Sequence, residues 1–178
     1  MQTIKEKESN TVKALAQFKY KNAMSAPHLV KIVVSSGTGS GMKKDREKNN
    51  TVSDRLARIT GQKPSVRAAK KSVASFKTRE GDPVGLVVTL RGARMYHFLD
   101  KIVNIALPRT KDFRGIDGKA VDAIGNITLG IKEHTIFPET ADEDLRDVFG
   151  LAITLVSSSK TKEEALAYFT HIGIPFKK

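Results

Sequence analysis

The stretch Pro83-Val-Gly-Leu-Val-Val-Thr-Leu90 decides the fold class of this 178-residue chain. Every second residue within it is a large aliphatic one, whereas the alternate positions are mixed and lead through Thr89 to Arg91. This alternation predicts a strand that buries one face and leaves the other open, because strands covered on both faces are continuously apolar. The apolar spacing over residues 95–106 then predicts an amphipathic helix, which is stopped by a proline.

The same alternation recurs in other segments, which predicts an α+β domain with a largely antiparallel sheet and helices packed on one face. In the first strand, Val30, Ile32 and Val34 are expected to share one face. The N-terminal residues 1–20 have helical spacing, and no domain boundary is visible, so one domain over residues 1–178 is expected. The remaining predicted elements are strands over residues 29–35, 127–131 and 151–156, and helices over residues 45–59 and 161–173.

The segment before the central strand, from Ile59 to Gly81, is strongly basic and has little helical or strand periodicity. A cluster of cations inside a folded domain is typical of proteins that bind a polyanion, most commonly a nucleic acid. The net charge of +12 and the pI of about 9.9 agree with that interpretation, although a solvated loop is the alternative. The cations are Lys63, Arg67, Lys70, Lys71, Lys77 and Arg79, against the single acid Glu80.

Two kinds of uncharged residue accompany these cations. Gln62 and Thr89 are short polar groups that can hydrogen-bond the bases, riboses or phosphates of splayed RNA strands. Phe76 is interpreted as a small hydrophobic anchor under the loop, and stacking on a nucleotide is the alternative. The basic segment therefore predicts a phosphate-binding surface with a few groups suited to RNA.

The composition and the scattered polar residues exclude several other classes of protein. The chain has no Cys, hence neither disulfides nor thiolate metal sites, which fits a reducing compartment. The first twenty residues lack the apolar run of a signal peptide, and no stretch approaches the roughly eighteen apolar residues of a membrane span. The four His show no ligand spacing, and no catalytic arrangement is present. We therefore expect a cytoplasmic protein with no catalytic residues, cofactor, metal or membrane contact.

The glycine-rich turn Ser36-Gly-Thr-Gly-Ser-Gly-Met-Lys-Lys44 lies between a predicted strand and a predicted helix, where phosphate-binding loops occur. Its spacing fits neither the Walker nor the dinucleotide pattern, so a turn that approaches RNA backbone is favoured. A phosphate-handling enzyme is the alternative, which nucleotide binding by the isolated protein would reveal. The acids between Glu139 and Asp147 have no calcium-loop spacing and indicate a solvated helix face or a patch for a basic neighbour.

Short motifs spread over nearly the whole chain resemble the bacterial large-subunit ribosomal protein L5 family in order and spacing. Among them are Ile59-Thr-Gly-Gln-Lys-Pro64, Ile105-Ala-Leu-Pro-Arg109, Asp112-Phe-Arg-Gly115 and Ile136-Phe-Pro-Glu139. The resemblance implies a structural constituent of the large subunit that binds 5S rRNA and large-subunit rRNA in the central protuberance. It also implies contact with P-site tRNA through a basic loop over residues 72–83, and with neighbouring ribosomal proteins, including the small-subunit protein S13. A general RNA-binding protein or chaperone without 5S selectivity is the alternative.

The candidate site combines the basic segment with positions that the resemblance implies. The chain departs from the family at Ser35-Ser-Gly-Thr-Gly-Ser40, where an Asn is usual, and at Val121-Asp-Ala-Ile-Gly-Asn-Ile127, which lacks an Arg and an aromatic residue. The expected tRNA-contacting loop is Ser75, Phe76, Lys77, Thr78, Arg79, Glu80 and Gly81. The expected rRNA-binding residues are Asn22, Lys31, Ser35, Gln62, Lys63, Arg67, Lys70, Lys71, Thr89, Arg91 and Arg94.

Overall fold

The computed structural model describes residues 3–39, 46–111, 113–140 and 148–177. The chain divides into two compact units. The first comprises Met1–Ile32, Arg91–Leu129 and Thr154–Lys178, and the second comprises Val33–Leu90 and Gly130–Ile153. The expectation of one domain over residues 1–178 therefore stays a prediction.

A five-stranded antiparallel sheet is the central element of the fold, which confirms the α+β prediction. The strands lie in the order β2-β3-β1-β5-β4, and the register of β2 against β3 places Ser65 opposite Val87 and Arg67 opposite Gly85. The strands are β1 Leu29–Gly37, β2 Ser65–Ala68, β3 Pro83–Leu90, β4 Ile127–Ile131 and β5 Leu151–Ser157.

The alternation that predicted the strands is seen in their burial. In β3, Leu86, Val88 and Leu90 are buried, whereas Thr89 on the opposite face is half-buried. The start of β1 differs from the prediction, because Val30 is 37% exposed. Leu29 is buried there instead, and the predicted alternation holds only from Ile32 onward.

In the second unit, the helix α3 Arg46–Thr60 packs against β3. Its residues Val52, Leu56 and Ile59 are buried, which confirms the predicted inward face. Gly61 follows with a positive φ of 69°, and its N–H donates to the Ala57 carbonyl at 2.8 Å, so the helix ends in a left-handed turn.

The first unit contains the remaining α-helices of the described residues. Two short helices and a 3-10 turn occupy the N-terminal segment where one helix was predicted, and the first opens with a Thr3–Glu6 capping box. Within the described residues, no helix has both the length and the hydropathy that a membrane span requires. The helices are α1 Ile4–Ser9, α2 Thr11–Ala14, α4 Ala93–Lys101, α5 Leu107–Arg109, which a π-helical turn joins to α4, and α6 Lys162–Ile172.

Candidate nucleic-acid interface

The basic segment after β2 folds back on itself as a small hairpin over residues 69–82. At its base, the Ala69 N–H donates to the Asp82 carbonyl at 2.8 Å, and the Gly81 N–H donates to the Ala69 carbonyl at 3.1 Å. Near its tip, Val73 and Thr78 exchange two backbone hydrogen bonds of 2.9 and 3.1 Å. The segment therefore has backbone pairing at its base and near its tip that its sequence periodicity did not predict.

The tip of this hairpin is a tight turn from Ala74 to Lys77. The Lys77 N–H donates to the Ala74 carbonyl at 2.9 Å, and Lys77 itself has a positive φ of 50°. Phe76 is 78% exposed. The interpretation of Phe76 as a buried anchor is therefore wrong, because the turn directs this residue to solvent.

Two side chains hold the arm that follows the tip. The Asp82 carboxylate accepts a hydrogen bond from the Arg79 backbone N–H at 2.8 Å. The Ser72 hydroxyl accepts one from the Glu80 backbone N–H at 3.0 Å. These bonds fix the backbone of the arm and leave the Arg79 side chain exposed.

The predicted basic residues of the second unit lie on this hairpin, on β2 and in the segment between α3 and β2. All four residues of β2 are exposed, and β2 is an edge strand of the sheet. Gln62 is half-buried, and its backbone carbonyl accepts a hydrogen bond from the Thr60 hydroxyl at 3.1 Å. The exposed cations are Lys63, Arg67, Lys70, Lys71, Lys77 and Arg79, and none is buried as an internal partner of the core.

Two predicted polar residues of the second unit lie on the sheet itself. Ser35 and Thr89 are both half-buried on the face opposite the core residues of their strands. The Ser35 hydroxyl donates to the Ala152 carbonyl at 3.4 Å, so its proton is used in a hydrogen bond within the sheet. Its oxygen remains able to accept a hydrogen bond.

The first unit carries the other four predicted residues. Arg91 and Arg94 are exposed, and Arg91 Nη1 donates to the Val30 carbonyl at 3.4 Å. Lys31, the next residue of β1, is half-buried. Asn22 is exposed and caps a 3-10 turn, because its side-chain oxygen accepts a hydrogen bond from the Met24 N–H at 3.2 Å.

The loop over residues 121–127, where the chain departs from the family, is held by one carboxylate. Asp122 Oδ1 accepts hydrogen bonds from the backbone N–H groups of Asn126 at 2.7 Å and Ile124 at 3.1 Å. The bond from the Asn126 backbone is the main cause that lowers the pKa of the Asp122 carboxyl. Ile124 is 71% exposed, so this loop presents an apolar residue and no cation.

Two candidate sites predicted from the sequence fall mainly outside the described residues. Residues 40–45 of the glycine-rich turn and residues 141–147 of the acidic stretch are not described. In the described part of the chain, no group of three or more His, Asp or Glu side chains has a geometry suited to a metal ion.

Glu8 was not predicted from the sequence, and only the structure reveals its role. This half-buried residue of α1 accepts hydrogen bonds from three other elements of the first unit. The capping box at Thr3 locates its helix, but no local signal points to its distant partners. Met24, which was not among the predicted site residues either, is 86% exposed beside Asn22.

Comparison with known proteins adds to this geometry. Residues 22–79 match the family described as ribosomal protein L5, and residues 83–176 match the family described as the C-terminus of that ribosomal protein. The large ribosomal subunit protein uL5 of Trichlorobacter lovleyi is 46% identical over 179 residues, which cover 99% of each chain. The protein of the same name from Brevibacillus brevis is 46% identical over 177 residues, which cover 98% of each chain. The chain therefore belongs to the ribosomal protein L5 family and is a structural, RNA-binding constituent of the large ribosomal subunit, not an enzyme.

Proposed function

We propose that this ribosomal protein binds 5S rRNA and large-subunit rRNA through its exposed cations, and that the tip of the hairpin over residues 69–82 contacts P-site tRNA. The proposed tRNA-contacting residues are those of the hairpin from Ser75 to Gly81. In the second unit the proposed rRNA-binding residues are Ser35, Gln62, Lys63, Arg67, Lys70, Lys71 and Thr89. In the first unit they are Asn22, Lys31, Arg91 and Arg94. Contact with neighbouring ribosomal proteins, including S13, is proposed on the resemblance alone.

The observation that carries this proposal is the placement of six exposed cations on one hairpin and the edge strand and turn that precede it. Each cation that meets a phosphate releases condensed counterions, which makes the binding both strong and salt-sensitive. The same surface has few acids, because Glu80 is the one exposed acid between residues 61 and 82 and Asp82 is half-buried. The surface therefore suits an RNA backbone.

The hairpin tip supports a separate contact with tRNA. Its turn is already formed by backbone bonds, so binding requires little further ordering of the chain. Phe76 is exposed at the tip and can stack on a base or a ribose, while Lys77 and Arg79 provide charges for nearby phosphates. The aromatic ring and the flanking cations together match an RNA surface that is not a regular helix.

The test is a titration of the whole protein against 5S rRNA at two salt concentrations, with tRNA as a competitor of similar charge. We expect a complex that survives excess tRNA. In the variant Lys70→Ala with Lys71→Ala, binding should weaken, and the slope of log K against log salt should flatten by about one unit for each lost phosphate contact.

The matched control for this variant is Lys132→Ala with Lys162→Ala, which removes two exposed cations from other surfaces. The control should keep both the affinity and the salt slope. Equal losses in the two double variants, together with equal binding of 5S rRNA and tRNA, would favour a general RNA-binding protein without 5S selectivity.

A further inference from the structure

The carboxylate of Glu8, in α1, joins four elements of the first unit. Its Oε1 accepts hydrogen bonds from the Leu29 backbone N–H at 2.6 Å and from the Tyr168 hydroxyl at 2.7 Å. Its Oε2 accepts one from the Tyr96 hydroxyl. These donors belong to β1, α6 and α4, so a single side chain of the N-terminal segment fixes three elements that are distant in sequence.

The donors depend on this carboxylate because they are largely withdrawn from water. Tyr168 is fully buried and Leu29 is only 4% exposed. A buried hydroxyl or N–H that loses its acceptor is strongly unfavourable. Removal of the Glu8 carboxylate would therefore loosen the start of β1 and the packing of α6 in order to hydrate these groups, and it would release the half-buried Tyr96 of α4.

The start of β1 is also the place that Arg91 contacts. Arg91 Nη1 donates to the carbonyl of Val30, the residue after Leu29. Tyr96 lies in the first turns of α4, which begins at Ala93, two residues after Arg91. Glu8 thus holds β1, whose Val30 carbonyl accepts the bond from Arg91, and it also holds α4, the helix that follows Arg91 in the chain.

We infer that Glu8 is a positioning residue for Arg91, and that its contacts with β1 and α4 present the exposed guanidinium to an RNA phosphate in one orientation. A guanidinium has five N–H donors, so the bond to Val30 leaves the others for phosphate oxygens. Holding a long side chain in place before binding reduces the entropy lost on binding. The inference rests on the proposed function, because it requires that Arg91 contacts RNA.

The test is a double-mutant cycle on the full-length protein, with 5S rRNA affinity as the readout. We expect Arg91→Ala and Glu8→Ala each to weaken binding by about tenfold, and the double variant to bind no more weakly than Arg91→Ala alone. Glu8→Ala should also flatten the salt slope as Arg91→Ala does, although it removes an acid and not a cation. The conservative variant Glu8→Gln, which retains an acceptor for the Leu29 N–H, should bind with intermediate affinity.

Glu164→Ala is the matched control. The Glu164 carboxylate accepts hydrogen bonds from the Tyr20 hydroxyl and the Lys160 N–H, both at 2.8 Å, and so connects the N-terminal segment to α6 through donors that belong to neither β1 nor α4. This variant should keep the affinity for 5S rRNA. When it is combined with Arg91→Ala, the two effects on binding free energy should simply add. If Glu8→Ala fails to fold, Tyr96→Phe replaces it in the cycle, since it removes only the bond to α4.

The outcomes separate the two claims. If Arg91→Ala weakens binding and the Glu8 variant weakens it further by its full separate effect, the positioning role is wrong and the proposed RNA contact stands. If Arg91→Ala leaves 5S affinity and salt slope unchanged, the assignment of Arg91 to RNA fails and the positioning role fails with it.

Discussion

Gly125 shows how strictly single residues are specified in the loop that precedes β4. Its φ is 89°, and an added Cβ would lie 2.9 Å from the Cβ of Ser159. Its carbonyl also accepts the Ser157 hydroxyl at 2.6 Å, so the backbone cannot easily shift. We expect Gly125→Ala to lower the free energy of unfolding by about 2–4 kcal/mol, as strain and overpacking combine.

Urea unfolding followed by circular dichroism measures this loss. Gly130→Ala is the control, because Gly130 is exposed in β4 with no atom within 4 Å of an added Cβ and no positive φ. Similar small losses in both variants would contradict the expectation.

Residues whose role depends on local spacing could be predicted, and those whose role depends on distant partners could not. The burial of Leu86, Val88 and Leu90 followed from a period of two, which the sequence displays directly. Glu8 instead has partners 21, 88 and 160 residues away, and nothing in its neighbourhood indicates them. The exposure of the cations in the basic segment follows from charge itself, which keeps a side chain in water, whereas their contact with RNA stays a prediction.

At the scale of elements, the hairpin over residues 69–82 was predicted only as a loop, because its arms lack apolar alternation. Backbone bonds pair the arms, and the side chains of Asp82 and Ser72 add further bonds to the backbone. At the base of this hairpin, the Asp82 carboxylate accepts the hydrogen bond from the Arg79 backbone N–H. We expect Asp82→Ala to speed hydrogen exchange of the Arg79 amide, while the global free energy of unfolding changes by less than about 0.5 kcal/mol.

Exchange measured residue by residue tests this expectation. Asp117→Ala serves as the comparison, because the Asp117 carboxylate likewise accepts a backbone N–H, from Lys119 at 2.9 Å, in the first unit. That variant should leave Arg79 exchange unchanged. Slow hydrogen exchange of the Arg79 amide in Asp82→Ala would show that the hairpin stays formed without the Asp82 carboxylate.

At the scale of the whole molecule, all three tyrosines of the chain donate to glutamates: Tyr20 to Glu164, and Tyr96 and Tyr168 to Glu8. Burial, reinforced by the adjacent carboxylate, raises the pKa of each phenol above its ordinary value near 10. The unfolded chain releases these protons first as pH rises. The stability linked to them is therefore complete below about pH 10 and is lost progressively above it.

We expect phenolate absorbance to stay absent in the folded protein above pH 10 and to appear together with the loss of circular dichroism. Because the chain has no Trp, the absorbance of these three residues is easily isolated. The protein in concentrated urea is the reference and should titrate near the ordinary value. A gradual titration near pH 10 with the secondary structure intact would be the contrary result.

The exposed edge strand β2 has a consequence for the protein before it reaches any RNA. An edge strand presents unpaired backbone groups that can join the edge of another copy, and Val66, 58% exposed, would favour such stacking. Arg67, in the middle of the strand, opposes it through charge repulsion between copies. The guanidinium that we propose for phosphate contact therefore has a second effect, since it opposes edge-to-edge aggregation of the newly made chain.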